Sequence, residues 1–406
     1  MLTTITILLL LAAAPVTAQT RLTMQACVDS ALANNLSVAG GKIAVERAEQ
    51  LAKTAFELEP TQLTLAQDPT SGGSPDNALT LSQTFSLPQV YSARRRLLRA
   101  EAATERCRQA LTAAETASAV RGAYCTVLYH RERRLILERA GEAYAHFLKI
   151  AEARLAAGET GKLERMNVRR LVEENRVAAQ NAARDYDTAR RRLMLLMNTS
   201  AEIEPADTAL THLSADTLAA FDPMATALAS ALDGEVDAAG ARVTVTKREA
   251  LPTVSLEAGA QLVVKGFNPY HVDRSAYDKG DFMGFAVGIG VPLAFGAHKA
   301  KVRAARKEAE LADVSRRQQL EALAVEYRTA LADYRKAKAV LDYYDREGLN
   351  HADDMERISR AAYDNGEIGY IELLQNMQSA TEIRMNHADA AENCNQAVVN
   401  IQRIRR

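Results

Sequence analysis

Proline and glycine are scarce in this chain, tryptophan is absent, and neither sign of charge prevails. With 10 prolines and 20 glycines among 406 residues, long stretches contain nothing that would break a helix. The 50 basic and 51 acidic residues nearly cancel, so the net charge gives no support for binding nucleic acid or another polyanion. We therefore expect a mainly helical protein without a nucleic-acid partner.

Long hydrophobic runs are missing after the first residues. The run 5–14 is too short to span a bilayer, and it ends in Val16-Thr17-Ala18, which indicates a secretory signal peptide over residues 1–18. No later segment reaches the roughly 18 apolar residues that a transmembrane helix needs. We expect an exported chain, for which a location in the membrane would require a β-barrel.

Cysteine is also rare, with four residues at Cys27, Cys107, Cys125 and Cys394. Cys107 and Cys125 lie on one predicted helix, too far apart along its axis to form a disulfide. Buried free thiols are the favoured interpretation, while a Cys27–Cys394 disulfide stays open.

The segment 297–364 is the longest stretch without a helix breaker, since it contains no proline and Gly348 as its only glycine. Its larger apolar residues recur every seventh position, as at Leu320, Tyr327, Tyr334 and Leu341. A repeat of seven keeps one seam facing a partner helix, as in a coiled coil. Taken alone, this segment is typical of a periplasmic coiled-coil rod without a pore.

Two segments, 61–87 and 252–293, instead show the period of two that predicts β-hairpins. In each strand apolar residues alternate with small or polar ones. The strands are long enough to cross a bilayer when tilted, but four strands leave open edges that lipid does not tolerate. Copies must therefore combine, and three chains would give a barrel of 12 strands with a water-filled pore. A soluble sandwich is the alternative, although such long helices do not suit it.

The order of these elements repeats, which indicates an internal duplication. The first repeat, 19–224, comprises a helix, the hairpin 61–87, a long helix 89–156, a helix 162–198 and a link 199–224. The second repeat, 225–406, comprises a helix, the hairpin 252–293, the long helix 297–364 and a helix 370–405. Pro88 and Pro292 mark corresponding joints between strand and helix.

Two turn motifs occupy corresponding places after the long helices. They read Arg154-Leu-Ala-Ala-Gly158-Glu-Thr-Gly-Lys-Leu163-Glu164 and Tyr363-Asp-Asn-Gly366-Glu-Ile-Gly-Tyr-Ile-Glu372-Leu-Leu374. With the signal peptide and the duplicated plan, these motifs resemble those of the TolC-type outer-membrane efflux family.

The resemblance implies a fold and a role for the whole mature chain. The fold would be mainly α with a small β component, in which duplicated long helical hairpins form a tunnel across the periplasm and two β-hairpins contribute to the trimeric barrel. The homotrimer would be a passive export duct, held by outer-membrane lipid. A periplasmic adaptor would connect it to an inner-membrane pump of RND or ABC type.

The resemblance also assigns residues to the tunnel tip. Those at the turns would dock the adaptor: Arg154, Gly158, Glu159, Gly366 and Glu367. Those expected at the pore gate are Glu164, Tyr363 and Glu372, of which three copies of Glu372 would favour cations. This sequence departs from the family pattern at Ile368, where the gate link is basic, and at Gln375, where the ring is acidic. The alternative for Glu164 and Glu372 is solvated carboxylates at helix starts.

No motif suggests catalysis, a cofactor or a metal site. The chain has no phosphate-binding glycine loop and no nucleophile elbow, and His130 and His146 are too far apart on one helix to bind a metal together. We therefore expect neither an enzyme nor a metalloprotein. The cargo stays open among drugs, metal ions and polypeptides.

Overall fold

The computed structural model describes residues 20–68, 76–158, 161–210, 212–215, 220–263 and 282–406. The predicted signal peptide, Glu159 and the loops 69–75 and 264–281 inside the two hairpins lie outside the described residues.

Most of the described chain is helical. In chain order, the α-helices are α1 (Met24–Asn34), α2 (Leu36–Lys53), α3 (Pro88–Ala156), α4 (Lys162–Leu196), α5 (Ala227–Arg248), α6 (Phe295–Tyr343), α7 (Leu349–Asp364) and α8 (Tyr370–Arg405). Pro88 is the first residue of α3, where its missing N–H costs no helical hydrogen bond. The prediction of a mainly α protein with two β-hairpins is confirmed.

The predicted helix over 297–364 needs one correction. A π-helical turn, Tyr344–Gly348, separates α6 from α7, and the Leu349 N–H donates to the Tyr344 carbonyl across it. The wide turn brings the Tyr344 ring over Gly348, where an added Cβ would lie 2.6 Å from Tyr344 Cδ1. Proline and glycine counts did not reveal this turn, because it depends on packing around the helix.

Six strands form two sheets in the described chain. The strands are β1 (Thr20–Leu22), β2 (Gln62–Asp68), β3 (Asp76–Ser86), β4 (Ile203–Pro205), β5 (Thr253–Val263) and β6 (Phe282–Gly290). The larger sheet has the order β2-β3-β5-β6 and is antiparallel throughout, so the two predicted hairpins join through β3 and β5. The smaller sheet pairs β1 with β4 in parallel and was not predicted from the sequence.

The chain forms two compact units, and each contains parts of both predicted repeats. One unit comprises Met1–Ala39, Thr112–Asp222 and Leu323–Arg406. Its main core lies among α1, α3, α4 and the β1–β4 pair, and includes Cys27, Tyr124, Leu193 and Ile203. The four cysteines are free, and Cys27, Cys125 and Cys394 are buried. The division into two repeats stays a prediction.

The other unit comprises Gly40–Leu111 and Pro223–Ala322. It contains the four-stranded sheet and a small core of Ala229, Leu232 and Leu320. Ion pairs supplement this core, among them Arg242 with Glu101 at 2.7 Å and with Glu308 at 3.1 Å.

Candidate functional site

Two turns of matching geometry follow the long helices. Gly158 after α3 and Gly366 after α7 have φ of +75° and +73°, the left-handed conformation that glycine adopts without strain. At the second turn the Glu367 N–H donates to the Ala362 carbonyl at 2.8 Å, and the Gly366 N–H donates to Tyr363 at 3.0 Å. These bonds satisfy carbonyls that the helix end leaves free, so the chain reverses there in a defined way.

The helix that follows each turn begins on a glycine N-cap. Gly161 precedes α4 and Gly369 precedes α8, both with extended backbone and without a side-chain cap. Glu164 and Glu372 are the acidic residues of the two first turns. A carboxylate there is favoured by the positive end of the helix dipole. The two predicted gate carboxylates thus occupy equivalent positions.

Arg154 and Tyr363 connect the ends of the two long helices. Arg154 Nη1 donates a hydrogen bond to Tyr363 Oη at 2.6 Å, and the Arg154 guanidinium lies 5.3 Å from the centre of the Tyr363 ring. The Tyr363 ring also meets Phe147 edge-on, with the ring centres 6.3 Å apart. The structure therefore joins a predicted docking residue to a predicted gate residue within one chain.

Glu164 lies in the same region, with only 7% of its surface exposed. Burial raises the pKa of the Glu164 carboxyl, and the positive charge of Arg154 acts in the opposite direction. This opposing effect of Arg154 on the pKa of Glu164 indicates that the two side chains are close enough to interact electrostatically. We call Arg154, Tyr363 and Glu164 the tip cluster.

Other predicted tip residues lie outside this cluster. Glu372 and Gln375 are exposed on α8, whereas Ile368 is half-buried and packs against the core formed by Phe147 and Leu373. Glu367 is exposed in the second turn. Ile368 therefore contributes packing at the place where the family pattern has a basic link.

One face of the four-stranded sheet is apolar and exposed. The pairing register aligns Leu63, Leu81, Ala258 and Phe285 across the four strands, and aligns Leu65, Leu79, Ala260 and Met283 in the next row. Met283 and Phe285 are 88% and 89% exposed, and Leu63 and Leu65 are 67% and 71% exposed. A contiguous apolar patch of this kind marks an interaction surface in a protein.

The opposite face of the sheet carries small and polar side chains. Its rows include Thr64, Thr80, Gly259 and Gly284, and Ser82, Glu257 and Ala286. β2 and β6 are the edge strands of this sheet, so each presents a row of backbone groups for pairing. The predicted joint residue Pro88 begins α3, and Pro292 lies in the short connection between β6 and α6.

Sequence reasoning missed a polar cluster in the unit that contains α4 and α8. His212, Asp345 and His387 bring their ligand atoms within 4.8 Å of one another. They come from the link, the π-helical turn and α8, and no local spacing connects them. Only a pattern that spans distant parts of the chain could have found them.

None of the described helices has the length and hydrophobicity needed to cross a lipid bilayer. The family model for outer membrane efflux proteins matches residues 228–404. These residues form an outer membrane efflux protein domain. The match confirms the resemblance predicted from the turn motifs and the duplicated plan. No curated protein matches the chain by sequence.

Solved structures extend the likeness of this efflux protein domain to nearly the whole chain. A membrane protein from Pseudomonas aeruginosa superposes with a TM-score of 0.79 at 17% identity, covering 97% of each chain. The outer membrane protein VceC from Vibrio cholerae gives 0.75 at 15% identity, over 93% of this chain and 94% of VceC. The open state of the MtrE outer membrane channel from Neisseria gonorrhoeae gives 0.75 at 16% identity, over 94% of this chain and 88% of MtrE. At these identities the likeness is one of fold.

Proposed function

We propose that this chain is one subunit of a homotrimeric outer-membrane export channel. The observation that carries the proposal is the four-stranded sheet, which has an exposed apolar face, a small and polar face, and two edge strands. The helical part of each chain would extend from the outer membrane into the periplasm as the wall of a tunnel.

Lipid is the occupant that best suits the apolar face. Each large apolar side chain contributes about 1.5–3 kcal/mol when it leaves water. Met283, Phe285 and Ile289 alone are each more than 70% exposed. In a bilayer the edge strands need partners, because unpaired backbone groups are costly in hydrocarbon. Pairing β2 of one copy with β6 of the next would close a barrel of 12 strands from three copies.

The tip cluster and Glu372 would control passage at the other end. The Arg154–Tyr363 hydrogen bond ties the two long helices together, so it favours a narrow arrangement of the tips. Glu372 is exposed at the start of α8, where three copies around an axis would attract cations. Opening would then require the Arg154–Tyr363 hydrogen bond of each chain to break as the tips separate.

The turns at the tip are the proposed docking surface for a periplasmic adaptor. The left-handed turns at Gly158 and Gly366 would shape this surface, and the carboxylates of Glu159 and Glu367 would give it negative charge. Energy would come from an inner-membrane pump of RND or ABC type joined through the adaptor, because the chain offers no nucleotide-binding motif of its own. The passive duct would carry the pump's substrate.

The proposal is tested by conductance and by a matched pair of substitutions. Detergent-extracted protein should run as a trimer and conduct ions in a planar bilayer. Phe285→Arg places a charge on the proposed lipid face and should cost about 2–4 kcal/mol of membrane stability per chain, abolishing assembly into membranes. Thr80→Arg, on the polar face, should assemble normally.

The rival function is that of a periplasmic coiled-coil protein without a pore. It predicts a water-soluble rod that does not conduct, and it predicts equal behaviour of the Phe285→Arg and Thr80→Arg variants. Either result would contradict the channel proposal.

A further inference from the structure

Three potential metal ligands meet where the link, the π-helical turn and α8 come together. His387 Nε2 lies 2.9 Å from Asp345 Oδ1, and His212 Nδ1 lies 3.6 Å from Asp345 Oδ2. Each oxygen of the Asp345 carboxylate therefore faces a different imidazole. The two histidine rings have their centres 6.0 Å apart.

We propose that His212, Asp345 and His387 form a binding site for one divalent transition-metal ion, with zinc as the best match. Two imidazole nitrogens and one carboxylate oxygen are a ligand set that zinc accepts, with water completing the coordination. Magnesium and calcium prefer oxygen ligands alone, so the two histidines disfavour them.

The spacing of the ligand atoms suits this ion. Zinc bonds of about 2.0–2.1 Å in a tetrahedron hold neighbouring ligand atoms about 3.3 Å apart. The ligand atoms here lie within 4.8 Å of one another, so rotation of side chains by small amounts would bring them to that distance. His212 and Asp345 keep 40% and 35% of their side chains exposed, which leaves a path for the ion and for water.

Two described link residues after His212 contact helices of the same unit. The N–H of Leu213, next to His212, donates to Oδ1 of Asn395 on α8 at 2.8 Å, and Asn395 is buried. Further along the link, Phe221 stacks on Tyr327 with ring centres 4.1 Å apart. Leu213 and Phe221 both follow His212 and each contacts a helix, so these described residues need little further ordering when the ligands close on an ion.

The π-helical turn that contains Asp345 is a second observation, independent of the ligand distances, that favours a binding site here. Asp345 is its second residue, and π-helical turns inside α-helices occur often at functional sites. The extra residue in the turn rotates the helix that follows relative to the helix before it. A Cβ at position 348 would lie 2.6 Å from Tyr344 Cδ1, so a larger residue there would force the Tyr344 ring to move.

Bound metal would fasten the link to two helices of the same unit. It would stabilise the folded state by an amount that grows with the logarithm of the free ion concentration above Kd, because the unfolded chain cannot bring the three ligands together. The proposed metal site does not rest on the proposed channel function.

The test is zinc binding by the full mature protein, purified without a polyhistidine tag. Calorimetric titration with zinc should show one ion bound per chain. His212→Ala, Asp345→Asn and His387→Ala should each weaken binding by about tenfold or more, given that even loss of a residue supporting a ligand costs 10–100-fold. His351→Ala, which removes an exposed histidine of α7 outside the cluster, should leave the affinity unchanged.

A second measurement uses the unaltered protein and so does not depend on the variants folding. Cobalt should produce the visible absorption of a four-coordinate site, and zinc should displace it in equal proportion. Hydrogen exchange of the link around His212 should slow when zinc is added. Failure of the wild-type protein to bind zinc or cobalt in saturable fashion would overturn the proposal. Equal zinc affinity in the three variants and the wild type would also overturn it.

Discussion

Removing the Tyr363 hydroxyl tests whether the tip cluster holds the proposed channel narrow. Tyr363→Phe keeps the ring, its edge-on contact with Phe147 and its contact with the Arg154 guanidinium. It deletes only the hydrogen bond from Arg154 Nη1, which is 2.6 Å long. We expect the variant channel to open more readily.

The magnitude follows from the surroundings of the bond. A buried hydrogen bond to a charged group contributes about 1.5–3 kcal/mol, but Arg154 is exposed and Tyr363 only half-buried. Solvent competition reduces the contribution to about 0.5–1 kcal/mol per chain. If all three bonds of a trimer break on opening, the sum is about 1.5–3 kcal/mol, which shifts the ratio of open to closed channels by about 10- to 150-fold.

Single-channel recording in planar bilayers measures this ratio directly. The open probability of Tyr363→Phe should rise relative to wild type at the same voltage and salt concentration. Arg154→Gln should act in the same direction, and the double variant should show less than the sum of both effects, because both substitutions remove the Arg154–Tyr363 hydrogen bond.

A matched control removes a tyrosine hydroxyl elsewhere. Tyr343 is half exposed near the end of α6, outside the tip cluster, and Tyr343→Phe should leave the open probability unchanged. An unchanged open probability in Tyr363→Phe, or additive effects of the Arg154 and Tyr363 variants, would refute the reasoning.

Three further predictions concern charge, turn geometry and pH. Glu372→Ala should lower cation selectivity, measured as the reversal potential under a salt gradient; an unchanged potential would exclude Glu372 from the pore. Gly366→Ala should lower the free energy of unfolding by about 1–2 kcal/mol, because φ at this position is +73° and an alanine is strained there. An added Cβ would meet no neighbouring atom, so the cost comes from the backbone conformation and not from a clash. Gly369→Ala, at φ of −79°, is the control in thermal unfolding and should cost less. Burial raises the pKa of the Glu392 carboxyl, so the folded protein prefers it protonated and should lose stability as pH rises through that raised pKa. Glu392→Gln should make the melting temperature less dependent on pH. An identical pH profile of the melting temperature in the variant and the wild type would show that Glu392 does not cause the loss of stability.

The sequence was most informative where structure depends on local chemistry. Alternation of apolar and small residues predicted both hairpins, and the structure places those apolar residues on one exposed face. Gly158 and Gly366 were identified as turns, and both adopt positive φ, because only glycine enters that region without strain. The long helices followed from the absence of proline after Pro88 and Pro292.

Contacts between distant residues were beyond this reasoning. The order β2-β3-β5-β6, the β1–β4 pair and the hydrogen bond between Arg154 and Tyr363 join positions far apart in the chain. Short-range periodicity does not specify which of several compatible elements become neighbours. The predicted gate residues were therefore named without their partners, and the burial of Glu164 was not foreseen.

Local sequence pattern alone determined the kinds of elements and the two chemically different faces of the strands. Backbone sterics and side-chain period act over a few residues, so they can be read along the chain. Only the tertiary structure decided that a π-helical turn interrupts the second long helix and that Asp345 in it meets His212 and His387. His212, Asp345 and His387 lie far apart in the sequence, and their meeting depends on the complete set of neighbours that the fold brings together.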